Sequence, residues 1–179
     1  MSLDLWLDID ETLLSRTELI ASLPQEADFQ RWAEATLRAA GTQEQSVTID
    51  IRIVSEDESQ ALNRDYRGID KSTNVLSFPA ELPPELHAAL EEIPLGDLAI
   101  CADVVAREAE QQGKPLLAHW AHMTVHGVLH LLGHDHIEAT DAACMEPLEI
   151  AILTTLGWDN PYDDEPSDTP TLVTPRELP

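Results

Sequence analysis

Apolar and polar positions alternate over residues 3–9, where Leu3, Leu5, Leu7 and Ile9 are separated by Asp4, Trp6 and Asp8. A period of two predicts a strand with one face buried. Between 26 and 39, Phe29, Trp32, Ala33, Thr36 and Leu37 recur at helical spacing, and Gly41 follows as a stop. Val47, Ile49, Ile51 and Ile53 return to strict alternation, the clearest strand of the chain. Ser55 and Glu58 then have capping-box spacing, which opens a helix running to about Tyr66 and closed by Gly68.

Residues 73–78 and 96–101 read as two short strands. The interval 79–95 holds four prolines and little periodicity, so it reads as a loop with one helical turn near 85–91. Asp103 can cap a helix through Gln112 that Gly113 ends, and Pro115 opens another over 115–132. That helix is apolar nearly all round, through Leu116, Trp120, Met123, Val125, Val128 and Leu129, which demands a central place in the core. Thr140 or Asp141 begins a last helix to about Leu156, in which Pro147 should produce a kink or start a second segment.

These elements predict one α+β domain, a small mixed sheet of about four strands packed with about five helices around a central His-bearing helix. The domain spans 1–158. Residues 159–179, rich in Asp, Glu, Pro and Thr with few apolar anchors, read as an acidic disordered tail.

Composition adds bounds. At 179 residues one domain with a sizeable core is expected. No apolar run approaches membrane-spanning length and the N-terminus lacks a signal-peptide pattern. Cys101 and Cys144 are too few for a disulfide framework, so a cytoplasmic location without disulfides is the expectation. The charge changes the picture more. With 34 acidic residues against 10 Lys plus Arg, a net −24, the surface repels phosphate backbones at long range. Arg52, Arg64, Arg67 and Lys71 nevertheless concentrate four of the ten basic residues in one stretch.

Asp8-Ile9-Asp10-Glu11-Thr12 after an apolar strand matches the nucleophile motif of haloacid-dehalogenase-like phosphohydrolases. Such enzymes also need a lysine and a second acidic motif after later strands. Lys71 and Lys114 are the only lysines, and Asp163-Asp164 lies in the Pro-rich tail, so a polar strand edge accounts for the motif better.

The candidate chemistry lies in 126–136, where four of the chain's seven histidines fall within eleven residues. The helix carries His119, His122, His126 and His130 on roughly one stripe. His122 and His130 are separated by about 12 Å of helix rise and cannot share one ion with bonds near 2 Å. Gly133 can return the chain towards the last pair, which selects His126 and His130. A third ligand would come from His134 or His136, and the spacing leaves that choice open; Asp135 could orient a ligand histidine. Three imidazoles with Cys144 as the only nearby thiol favour one open, catalytic zinc over a closed structural site. The His-Glu-x-x-His pattern of zinc proteases is broken, because Gly127 occupies the position of the glutamate base. Phosphodiester cleavage depends less on that residue if a cation meets the phosphate, and Arg67 is the candidate.

His126-Gly-x-Leu-His130-Leu-x-Gly133-x-Asp135-His136 resembles the signature of the YbeY family of bacterial rRNA-maturation factors. Leu62-Asn63, Tyr66-Arg67-Gly68, Asp70, Thr73 through Phe78, Leu95-Gly96-Asp97-Leu98, Ala118-His119-Trp120 and Gly157-Trp158 extend the resemblance in collinear order over roughly 3–162. It implies a metal-dependent, single-strand-specific endoribonuclease acting in 16S rRNA 3′-end maturation and ribosome quality control. It also implies His126, His130 and His136 as the zinc ligands, with Arg67 and His126 as catalytic residues. Single-stranded RNA, the 16S precursor, and the small ribosomal subunit with its proteins would be the partners, without a membrane. RNA would then enter a groove lined by Arg52, Arg64, Arg67 and Lys71. The rivals are a ribosome-associated assembly factor with a structural metal and a phosphohydrolase using Asp8.

Overall fold

The computed structural model describes residues 2–42, 45–133 and 139–163, with only the backbone of 139–144. The elements are β1 (Leu3–Ile9), α1 (Thr17–Ser22), α2 (Glu26–Ala39), β2 (Ser46–Val54), α3 (Glu56–Arg67), β3 (Val75–Pro79), α4 (Pro84–His87), β4 (Glu92–Cys101), α5 (Ala102–Gln112), α6 (Leu116–Leu131) and α7 (Ala139–Thr155). The strands form one mixed sheet in the order β1-β2-β4-β3, with β1, β2 and β4 parallel and β3 antiparallel along the edge of β4. The α+β expectation holds. The two helices beyond the expected five are α1 and α4, six and four residues long and without buried side chains, so neither carries a periodic apolar signal.

Strand alternation divides the sheet between two cores. Leu3, Leu5, Val47, Ile49, Ile51, Ile53, Val75, Leu98 and Ile100 pack against α2, α6 and α7 in the main core. Phe29 meets Trp32 and Trp120 edge-to-face there, at 5.5 and 5.9 Å between centroids. Val54, Leu76, Ala99 and Cys101 point to the other face, where Val104, Leu62 and Phe78 cover them. α3 therefore lies across the sheet from α6.

Three boundaries depart from expectation for local reasons. β4 begins at Glu92, not residue 96, although it contains Pro94. Its register with β2 shifts between Thr48 and Ile49, and β3 pairs with β4 only from Gly96 onward, so Pro94 sits at an irregular, locally one-sided stretch where its missing N–H is tolerated. Asp103 does not cap α5: Cys101 occupies that position, while the Asp103 carboxylate takes both guanidinium nitrogens of Arg16 at 2.8 Å. Pro147 lies inside one continuous helix, α7, rather than dividing it.

Residues 159–163, expected in the disordered tail, fold back onto the domain; Lys114 Nζ donates to the carbonyl of Pro161, and Tyr162 reaches α7. The remainder of that segment, 164–179, lies outside the described residues. No helix among the described residues is long and apolar enough to cross a membrane, and Cys101 is a buried free thiol.

Candidate functional site

Helix α6 crosses the sheet at close range because Gly127 faces it. A Cβ there would stand 2.9 Å from Leu98 Cδ2 and 3.2 Å from Val75 Cγ2. The Gly127 carbonyl also accepts from Ser77 Oγ at 3.0 Å. The position that holds the general base in zinc proteases therefore points into the sheet, so Gly127 is a packing residue. This docking turns the flanking face of α6, with its histidines, towards α7 and the C-terminal segment.

His126 and His130 meet there, with their Nε2 atoms 3.0 Å apart. Nitrogens bound to one tetrahedral ion at about 2.0–2.1 Å stand about 3.3 Å from each other. The pair thus needs an opening of a few tenths of an ångström to hold such an ion, and its donor chemistry suits zinc and other imidazole-binding metals. α6 ends directly below: Gly133 has φ +97°, and its N–H bonds to the His130 carbonyl at 3.0 Å. His134, Asp135 and His136 follow, outside the described residues, and the Cys144 side chain is outside them as well. Among the described residues no group of three His, Cys, Asp or Glu side chains comes together to hold a metal.

The acidic partner of the pair is Glu149, from the middle of α7 and fully buried. One carboxylate oxygen lies 2.7 Å from His126 Nδ1 and the other 2.8 Å from His122 Nε2. Tyr162 donates its hydroxyl to that second oxygen at 2.5 Å. Burial pushes the Glu149 pKa up, but the bonds from His122 and His126 outweigh it and hold the group ionised, well below the usual carboxylate range. The Tyr162 phenol is driven up by burial and by its bond to that carboxylate, so it stays a donor. Burial depresses the pKa of His122 and keeps its ring neutral. Above it, His119 Nε2 lies 3.1 Å from Glu108, which Asn74 Nδ2 also reaches at 3.0 Å. His119 and His122 are thus packed rings in a buried polar seam.

The basic stretch lies elsewhere. Arg67 is exposed at the last turn of α3, and Gly68 caps that helix. The following turn is fixed by Asn63 Nδ2 to the Lys71 carbonyl at 2.9 Å, Gln60 to Asp70 at 3.0 Å, and Ser59 Oγ to both backbone groups of Thr73. Tyr66 packs edge-on against Phe78, while Ser77 on the opposite side of β3 meets α6. Edge strand β3 therefore lies between the turn bearing Arg67 and Lys71 and the helix bearing the histidines.

Arg64 pairs with its neighbour Asp65. Arg52 lies on the sheet face away from α6, in a groove of about 660 Å³ lined also by Trp6, Asp50, Tyr66, Phe78 and Asp97. Asp8 and Glu58 hold it at 3.5 and 2.9 Å. The structure does not bring Arg52 to the histidine pair. Asp10, the second carboxylate of the phosphohydrolase-like motif, caps the 3-10 turn Glu11–Leu13 and accepts from Thr12 N at 3.0 Å and Ser55 N at 3.4 Å. The Thr12 backbone bond leads in lowering its pKa to about 2, so the motif is a structural tie between β1 and β2.

Sequence reading missed Glu149, Tyr162 and Glu108. Glu149 had a legible signal: it is the acid set in the apolar run from Leu148 to Leu153. A carboxylate at such a position is buried only with partners.

Fold and site together define an α+β protein whose central helix presents a carboxylate-braced imidazole pair suited to a divalent cation. A family model described as Endoribonuclease YbeY matches residues 15–157, and the chain belongs to the YbeY endoribonuclease family. Proteins named Endoribonuclease YbeY are 56% identical over 144 residues in Halorhodospira halophila, covering 80% of this chain and 91% of the relative. The relative in Alteromonas mediterranea is 49% identical over 157 residues, with 88% and 96% covered. That in Hydrogenovibrio crunogenus is 54% identical over 149 residues, with 81% and 91% covered. A solution structure from Thermotoga maritima aligns with 93% of this chain and 99% of its own at 20% identity and a TM-score of 0.49, too slight a likeness to bear on the site.

Proposed function

We propose that this chain is a zinc-dependent, single-strand-specific endoribonuclease that hydrolyses RNA phosphodiester bonds in 16S rRNA 3′-end maturation and ribosome quality control. The observation that carries the reading is the convergence of the His126 and His130 Nε2 atoms with Glu149 behind His126. The family name supports the reaction, since its relatives are named endoribonucleases. His136 would complete the ligand set, and residues 1–158 would form the catalytic domain. Small-subunit precursor RNA and its proteins in the cytoplasm would be the partners.

A bound zinc supplies Lewis-acid stabilisation of a charged oxygen and lowers the pKa of a water. The chain's own residues supply the rest. Glu149 accepts a hydrogen bond from the His126 Nδ1–H, which leaves the lone pair of that ring on Nε2, facing His130. Arg67, with its planar fork, would pair with phosphate oxygens and offset the charge that builds on them. Arg64 and Lys71 flank it and would follow the backbone of a single strand, with Arg52 a more remote member of the groove because Asp8 and Glu58 hold it. This local cluster is what admits RNA to a chain of net charge −24.

The test pairs metal content with cleavage of a labelled single-stranded RNA. Chelation should abolish cleavage and zinc should restore it. Arg67→Ala should keep a full zinc complement and cut at least ~100-fold more slowly, about 3 kcal/mol of transition-state stabilisation. Unchanged cleavage by Arg67→Ala removes that residue from the mechanism. A protein that unfolds when zinc is withdrawn identifies a structural metal instead.

A further inference from the structure

We propose that Glu149, held in place by Tyr162, is the positioning residue that fixes the Nδ1–H tautomer of His126 and aims its Nε2 at the metal; this rests on the metal reading above. A neutral imidazole carries one proton, and the partner of one nitrogen decides which lone pair is left for the other. A carboxylate 2.7 Å from His126 Nδ1 is an obligate acceptor there, so the proton stays on Nδ1. The lone pair of the ring then belongs to Nε2, the atom that faces His130.

Glu149 is not itself a ligand of that ion. It lies on the Nδ1 side of the ring, and an ion bonded to Nε2 stands beyond the opposite side. A carboxylate oxygen would have to approach within about 2.2 Å to bind it. Nor is Glu149 explained by stability. It is fully buried in α7 beside Met145, Ile152 and Leu153, where an apolar residue would avoid the desolvation of a charge. Tyr162 completes the arrangement, since its hydroxyl bonds the oxygen shared with His122 and so orients the carboxylate plane. It comes from the segment after α7, past the end of the family match at residue 157, and Asn160 Oδ1 holds its backbone N–H at 2.9 Å.

The experiment uses the full chain with Glu149→Gln and Tyr162→Phe, both near-isosteric. Competition titration with zinc gives affinity, and imidazole 15N shifts of the metal-free protein give the His126 tautomer. Glu149→Gln should bind zinc about 10–100-fold more weakly and show a population of the Nε2–H form. Tyr162→Phe should weaken zinc about 3-fold, in the same direction. Thermal unfolding of the metal-free variants separates this from a packing role, which would lower the midpoint while leaving tautomer and affinity in place, and would overturn the inference. Wild-type affinity in Glu149→Gln overturns it as well, with the metal reading intact. A wild type that takes up no zinc overturns both.

Discussion

His119 and His122 share a helix, a face and a spacing with His126 and His130, and the two pairs are wired differently. In the upper pair a carboxylate takes the outer ring nitrogen: Glu108 lies against His119 Nε2 and Glu149 against His122 Nε2. In the lower pair the same Glu149 takes the inner nitrogen, Nδ1, of His126. The nitrogen furthest from the backbone is therefore occupied in His122 and directed at His130 in His126. What separates a packed histidine from a candidate ligand on this stripe is which nitrogen its carboxylate engages, a choice made by α7 rather than by α6.

The largest effect should come from comparing His130→Ala with His119→Ala. His130→Ala removes one of the two convergent nitrogens. It should lose tight zinc binding and reduce RNA cleavage by about 10³-fold or more, about 4 kcal/mol of transition-state stabilisation, with a nearly unchanged metal-free unfolding midpoint. His119 is 3% exposed, so His119→Ala leaves a cavity and removes a partner of Glu108. It should cost about 2–3 kcal/mol of stability and leave zinc stoichiometry at wild type. Denaturant unfolding beside metal analysis reads both, and a His119→Ala protein that loses zinc would erase the distinction between the pairs.

A second test acts between the pairs. Gly127→Glu installs the residue that zinc proteases carry after the first histidine, at a position whose Cβ would already crowd Leu98 and Val75. The carboxylate would be driven into the apolar sheet face. Destabilisation of about 3 kcal/mol or more, and no peptidase activity, is the expected outcome. A stable variant that cleaves peptides would show that position 127 can be turned towards the metal.

The strands and long helices were legible because their apolar periods are strict, as in Val47 to Ile53 and around α6. The start of β4 was not, because Pro94 argues against a strand unless its irregular pairing is known. His126 and His130 could be read from i, i+4 spacing and from Gly133. Glu149 and Tyr162 could not be placed with them, since they lie 23 and 36 positions beyond His126 in sequence, and only the packing of α7 and the turn at Pro161 brings them back. The tail composition of Asp159 to Asp163 concealed an anchored segment, because two contacts suffice to hold a short turn against the domain. Sequence proximity groups Arg52 with Arg67, but strand alternation turns its side chain towards Asp8 and Glu58.

The smallest effect separates the pairs along the pH axis. Burial raises the pKa of Glu108, but bonds from His119 and Asn74 prevail, and the net shift is downward from 4.5. A carboxylate whose folded pKa is depressed contributes its full stability above the unfolded value; the contribution is lost as pH falls through the folded one. Glu149 is held further below the usual range, so its loss starts at the same upper limit as that of Glu108 but continues to lower pH. Urea unfolding of metal-free protein between about pH 2 and 6 should show wild-type stability falling with acid across both ranges. Glu108→Gln should flatten only the upper part of that limb, and Glu149→Gln the whole of it down to the acid end. Because Glu108 is partly exposed, solvent screens its bond to His119 and its share of the limb is the lesser. If Glu108→Gln also flattens the limb down to its acid end, the two carboxylates titrate as one network through His122, and the division between packed and presented histidines would have to be drawn below His122 rather than by which nitrogen is engaged.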